Sequence, residues 1–235
     1  MTVRIAVVGG TGRFGSAIAR AVADAGHHTI IGSRSAERAC NMAAFLGAQT
    51  QAGAAVEGAL NADAVRAAEV AVLAVPATGH ADILRAVAQA GRARVFVDTC
   101  VCHHPRRTGV WQAPAEGSAA ERARRLLPRS AAVASALHCV PAAALRDPAH
   151  MPAGHVPYCA DGEGAADAAS ALLDLLGLES VHAGGLHASG ALEHLAVLLG
   201  ALADVQGILP GVRFLGLERK APGGKDPVAH SGPRP

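Results

Sequence analysis

Residues 3–34 constrain this chain more than any other stretch. A β-branched run, Val3-Arg4-Ile5-Ala6-Val7-Val8, enters a glycine loop, Gly9-Gly10-Thr11-Gly12-Arg13-Phe14-Gly15, and leaves through apolar residues at helical spacing. Gly26 stands where a helix C′ glycine belongs, and Thr29-Ile30-Ile31-Gly32-Ser33-Arg34 reads as a second strand. Strand, glycine turn, helix and strand in that order predict the first unit of a dinucleotide-binding fold. Gly10, Gly12 and Gly15 fit the G-x-G-x-x-G spacing. One glycine makes the tight turn, the next lets backbone approach a pyrophosphate, and the third allows close helix–strand packing. In a chain with 27 glycines that spacing alone is a short signal; the strand before it and the helix after it make it specific against a turn that binds no phosphate.

The end of the second strand distinguishes the dinucleotides. An NAD site places an acidic side chain about twenty residues past the glycines, to accept from the ribose 2′-hydroxyl. Here Ser33 and Arg34 stand in that place, with Arg38 one helical turn on. Guanidinium groups bind phosphate as charge-assisted, bidentate pairs, so this end suits the 2′-phosphate of NADP, the alternative being a solvated basic helix start.

Composition bounds the rest. With 51% hydrophobic and 17% charged residues, the 235-residue chain can bury a sizeable core. A net charge of +2 is too small to imply nucleic acid as a main partner. Aromatic residues make up 3%, so flat ligands must rest mainly on backbone and aliphatic groups. Five cysteines without a disulfide framework, and no charged-then-apolar leader before Val3, lead us to expect a cytoplasmic protein. The longest apolar run, Leu195 to Ala203, reads as a buried helix too short to span a membrane.

Along the chain, helices are expected over 35–46, 54–68, 77–90 and 118–127. Strands are expected over 69–76, stopped by Pro76, over 94–98 and over 131–136. Alternating strands and helices predict an α/β fold with a Rossmann-type doubly wound parallel sheet, filling residues 1–136 as the nucleotide-binding domain. Residues 137–217 restart the pattern as a smaller C-terminal α/β domain. It has strands at 155–160 and 180–183, a helix at 164–176 and an apolar helix or helix pair at 191–209. The tail, 218–235, is expected to lack fixed structure. His138 falls at the junction, where small ligands usually sit. Cys100-Val101-Cys102-His103-His104 has metal-binding residue types, but a one-residue gap between the cysteines is poor zinc spacing, and a loop of small residues without metal is expected.

Gly9-Gly10-Thr11-Gly12 with Gly15, Gly32-Ser33-Arg34, Val72-Leu73-Ala74-Val75-Pro76, Ser135-Ala136-Leu137-His138 with Pro141-Ala142, and Gly211-Val212-Arg213-Phe214-Leu215 together resemble the NADPH-dependent coenzyme F420 reductases, or F420-dependent NADP oxidoreductases. The resemblance runs from about residue 3 to residue 217. It implies direct hydride transfer between the nicotinamide of NADP(H) and the deazaflavin ring of coenzyme F420. It further implies that Thr11, Ser33, Arg34 and Arg38 grip the 2′-phosphate, and that Gly10, Gly12 and Arg13, with Phe14 and Gly15 beside them, line the pyrophosphate. Val75, Pro76 and the Leu137-His138-Cys139-Val140 stretch would border the reacting rings, with His138 as a positioning group. Two segments depart from the family's pattern: Pro76-Ala77-Thr78-Gly79-His80 has no aromatic after the proline, and 99–118 lacks the usual proline-and-leucine-rich loop.

The residues themselves favour hydride exchange between two redox cofactors. A carbonyl reductase needs a proton donor, commonly lysine or a tyrosine–lysine pair. Both lysines, Lys220 and Lys225, lie in the tail, and Tyr158 has no lysine four residues on. Transfer between two cofactors asks only for stacking, water exclusion and geometry. The alternatives are an NADPH-dependent reductase of a small imine or carbonyl compound, with His138 or His80 as donor, and a non-catalytic NADP-sensing protein. The apolar excess near 191–209 suggests a homodimer.

Overall fold

The computed structural model describes residues 2–50, 53–91, 93–104 and 109–217; the tail expected to lack structure lies outside them. The chain opens as read: β1 (Arg4–Val8), α1 (Arg13–Asp24) and β2 (His28–Ser33). Helix α1 turns Ala17, Ile18, Val22 and Ala23 into the core, so its apolar face is one stripe. In α2 (Ala36–Gly47) the Ser35 side chain accepts from the Arg38 N–H and starts the helix.

The helix expected over 54–68 is instead a strand, β3 (Val56–Leu60), running straight into the short α3 (Asn61–Ala67). Val56 and Leu60 are four apart, a spacing that puts side chains on one face of a helix and also of a strand. Packing makes the choice. A Cβ on Gly58 would lie 2.3 Å from the Ala39 carbonyl carbon and the Cys40 nitrogen, so β3 lies flat against α2 and pairs with β2 along its length.

Next come β4 (Val70–Leu73), α4 (Ala77–Ala88), β5 (Val95–Asp98), α5 (Ala119–Leu126), β6 (Ala132–Ser135), α6 (Ala142–Arg146), β7 (Val156–Ala160), α7 (Glu163–Leu175), β8 (Ser180–His182) and α8 (Ser189–Gln206). The run at 191–209 is therefore one helix, ended by Gly207 in the left-handed conformation at φ +64°. With the turn before it, 186–206 reaches membrane-spanning length by composition, longer than the sequence reading allowed. Two fully buried polar residues, Ser189 and Glu193, dock it onto the rest of the chain.

All eight strands form one sheet, ordered β3-β2-β1-β4-β5-β6-β7-β8. Pairing is parallel from β3 to β6, β7 is antiparallel to β6, and β8 is parallel to β7. The expected doubly wound α/β class is what the strands adopt. One face packs Val7, Ile31, Val72 and Val97 against α1, α2 and α7. The other packs Val8, Leu73, Phe96 and Val133 against α3, α4 and α5. Burial on both faces explains why β1 and β4 read as unbroken apolar runs. Strand order reverses between β1 and β4, and at such a switch point an open parallel sheet offers a crevice beyond its carboxyl ends.

Candidate active site

A cleft of about 980 Å³ opens at that point, its wall formed by the loops after β1, β2, β4 and β5. The volume is near the top of the range for small-molecule sites. The β1–α1 turn is built from glycines in close contact. Gly9 has φ +79°, and a Cβ there would meet the Ala74 carbonyl oxygen at 2.6 Å. On Gly15 it would meet the Gly9 carbonyl oxygen at 2.5 Å, and on Gly10 the Val7 carbonyl oxygen at 2.9 Å. On Gly12 it meets only the Gly9 carbonyl oxygen, at 3.3 Å. Gly10 and Gly15 thus lie behind the turn and hold it, whereas Gly12 lines the cleft and precedes the first turn of α1, whose amides lack intrahelical partners. Gly9, outside the G-x-G-x-x-G spacing, carries the positive φ; only the close approach of β4 reveals its role.

At the β2 end stand Ser33, Arg34, Ser35 and Arg38, with Thr11 and Arg13 on the adjoining glycine turn and the start of α1. The Thr11 and Ser33 hydroxyl oxygens are 3.5 Å apart, and Ser33 Oγ accepts from the Ser35 N–H at 3.3 Å. Three guanidinium groups and no carboxylate face this cleft among the described residues. Asn61, which sequence reasoning missed, also lines it and accepts from the Gly9 N–H through Oδ1 at 3.3 Å. The opposite end is formed by Val75 and Pro76 after β4, Thr78 and Ile83 of α4, and Thr99, Cys100, Val101, His103 and His104 after β5. Phe14 also reaches the wall.

Leu137 and His138 lie elsewhere than the sequence reading put them. Leu137 is fully buried in the core on the α1 and α7 side of the sheet, at φ +67°. A left-handed leucine is strained by about 1–2 kcal/mol, and core packing holds it there. Its side chain therefore cannot border a ring in the cleft. His138 is also not among the residues lining the cleft; the Cys100 carbonyl lies against its ring, and its Nδ1 is enclosed without a partner among the described residues. Burial pushes its pKa below the usual histidine range, against the opposing pull of Glu193, Asp98 and that carbonyl. His138 is thus a half-buried imidazole whose ring meets the Cys100 carbonyl.

Two proteins of Methanothermobacter, each named F420-dependent NADP reductase, align with nearly the whole chain. The one from M. marburgensis is 35% identical over 83% of this chain and 90% of its own length, and that from M. thermautotrophicus 34% over 85% and 88%. This chain belongs to the F420-dependent NADP reductase family. The family model described as "NADP oxidoreductase coenzyme F420-dependent" matches residues 4–101, from β1 to just past β5. Among solved structures, a candidate F420-dependent NADP reductase from Arthrobacter sp. FB24 has a TM-score of 0.74 at 24% identity, covering 88% of this chain and 96% of its own. An imine reductase from Streptomyces aurantiacus has a TM-score of 0.57 at 22% identity, and this chain spans 60% of its length. Both share the fold.

In this member of the F420-dependent NADP reductases, buried polar groups set the loop after β5. Asp98 is fully buried; Oδ2 is 2.7 Å from His80 Nε2, and Oδ1 accepts from the Cys100 N–H at 2.8 Å. Glu193 of α8, also fully buried, accepts from the N–H of Cys102 at 2.9 Å, of Ala119 at 2.7 Å and of the Trp111 indole at 2.8 Å. The returning strand segment pairs His103 with Trp111. The hydrogen bond the Cys100 thiol donates to Cys102, burial, and the Asp98 and Glu193 charges push that thiol far above its usual range, so it stays protonated unless a metal displaces the proton. Glu193 carried no signal in the sequence, because a glutamate in an apolar helix reads as solvated until three N–H donors are brought to it.

Proposed function

We propose that this protein transfers a hydride directly between NADP(H) and the deazaflavin coenzyme F420. The observation that carries the reading is the β2 end of the cleft, with the Arg34 and Arg38 guanidinium groups and, among the described residues, no carboxylate on the cleft wall, in a chain of this family. The donor set fits NADP: Arg34 and Arg38, with Ser33 and Thr11, meet the 2′-phosphate, and among the described residues no carboxylate that would select the unphosphorylated ribose lines this wall. Gly12, Arg13 and Phe14, with the first amides of α1, receive the pyrophosphate, while Gly10 and Gly15 keep the turn shut behind them. NADP(H) supplies the hydride chemistry at its nicotinamide, and F420 supplies the second ring. Val75, Pro76 and Ile83 give the transfer end an apolar wall that excludes water, and the Thr99-Cys100-Val101 backbone bounds it opposite. His138 acts only as a positioning group, through the Cys100 segment.

The reading as a small imine or carbonyl reductase needs His138 or His80 to deliver a proton, and neither side chain lines the cleft. Mixing the protein with NADPH and oxidised F420 and following the deazaflavin absorbance tests the function. Turnover supports it; NADPH binding without turnover overturns it.

We infer a homodimer as well. Leu198, Leu202 and Val205 make one exposed stripe of α8, continued by Ile208, Leu209 and Leu215. Sedimentation at micromolar concentration would show a dimer, with Leu202→Glu shifting it toward monomer; a wild-type monomer overturns this. Five free cysteines suit the reducing cytoplasm as its setting.

A further inference from the structure

One cluster is left unused by hydride transfer. Directly beneath the Thr99-Cys100-Val101 wall, a ring nitrogen of His80, a carboxylate oxygen of Asp98 and Cys100 Sγ all lie within 4.8 Å of one another. All three residues are buried, His80 and Asp98 completely. They come from α4, from the last residue of β5 and from two residues beyond it, so the topology alone brings them together. His80 Nε2 and Asp98 Oδ2 are 2.7 Å apart, and His80 Nδ1 is enclosed with no hydrogen-bond partner among the described residues.

Two of the donors, His80 Nε2 and Asp98 Oδ2, already stand 2.7 Å apart, so one ion can take both by parting them slightly, with Cys100 Sγ as the third. Nitrogen, thiol sulfur and carboxylate oxygen are the donors preferred by zinc and its neighbours, and three protein ligands leave one position open. We propose that His80, Asp98 and Cys100 form a binding site for one zinc-class divalent cation under the cofactor cleft. Cys100 also lines the cleft, which gives the ion an entry path and the fourth position an outlet. On binding, the thiol proton passes to solvent and the sulfur takes the metal in its place. The Cys-x-Cys-His-His run is too closely spaced to make such a site alone; one of its cysteines does so with partners from α4 and β5.

The test uses the untagged full-length protein, stripped with a chelator and titrated with cobalt(II) alone. The expected result is one equivalent bound, with a thiolate-to-cobalt charge-transfer absorption. Cys100→Ser abolishes that absorption and weakens cobalt binding by about tenfold or more, the scale of losing a support to a metal site. Cys40→Ser, at the exposed thiol, changes neither. Circular dichroism melts check that each variant folds, and His80→Gln, expected to weaken cobalt binding likewise, serves where Cys100→Ser does not fold. Absence of the band in wild type overturns the proposal, as does a band kept in folded Cys100→Ser. NADPH–F420 turnover is read separately, so failure of either idea leaves the other standing.

Discussion

Arg34→Ala tests the assignment of the 2′-phosphate end. A hydrogen bond to a charged group contributes about 1.5–3 kcal/mol. Arg34 is exposed, and Arg13 and Arg38 face the same cleft, so neighbouring guanidinium groups retain part of the attraction. The lower part of that range applies: about 1.5–2 kcal/mol, or roughly 12- to 30-fold weaker NADPH binding. NADH lacks the phosphate and loses little, so the ratio of the two dissociation constants falls by nearly the whole factor. Isothermal titration with both nucleotides, at two ionic strengths, measures it. The NADPH loss shrinks as salt rises, because exposed charges are screened. Equal losses for NADPH and NADH would refute the argument, since the arginine would then be acting on a part common to both.

Other consequences follow from the same geometry. Gly15→Ala puts a methyl 2.5 Å from the Gly9 carbonyl oxygen, backbone that cannot swing aside; we expect destabilisation of about 1–3 kcal/mol in urea and loss of NADPH binding, and unchanged binding would contradict the packing role. Glu193→Ala strips three N–H donors of their acceptor and should cost about 3 kcal/mol or more in chemical denaturation, with α8 becoming the first region to exchange amide protons. The depressed pKa of His138 sets a pH dependence. Below the ordinary histidine range the unfolded chain takes up a proton that the native ring resists. Stability therefore falls as pH drops through about 6.5, and His138→Gln flattens that limb.

Much of the nucleotide half was legible because its signals are local. Gly10, Gly12 and Gly15 are close in sequence, and Ser33, Arg34 and Arg38 follow a strand that the apolar run at 28–33 announces. The other half was not. Leu137 and His138 sit just past a strand end, and that placement suggested the cleft. Which side of the sheet a side chain takes after such a strand depends on a left-handed turn at Leu137 that no propensity predicts. His80, Asp98 and Glu193 look like ordinary surface or helix residues one at a time; their burial and mutual bonding exist only once α4, β5 and α8 are packed.

Local chemistry, written in consecutive residues, determined the βαβ start, the alternating α/β class and the preference for a phosphorylated coenzyme, since turns, periodicity and charge act over a few positions. Tertiary packing decided that 56–60 would be a strand, that Gly9 would carry the positive φ, and that the floor of the cleft would rest on buried carboxylates. Those choices depend on groups up to 91 residues apart, as Cys102 and Glu193 are, and a short stretch of sequence cannot register a neighbour that only folding brings near.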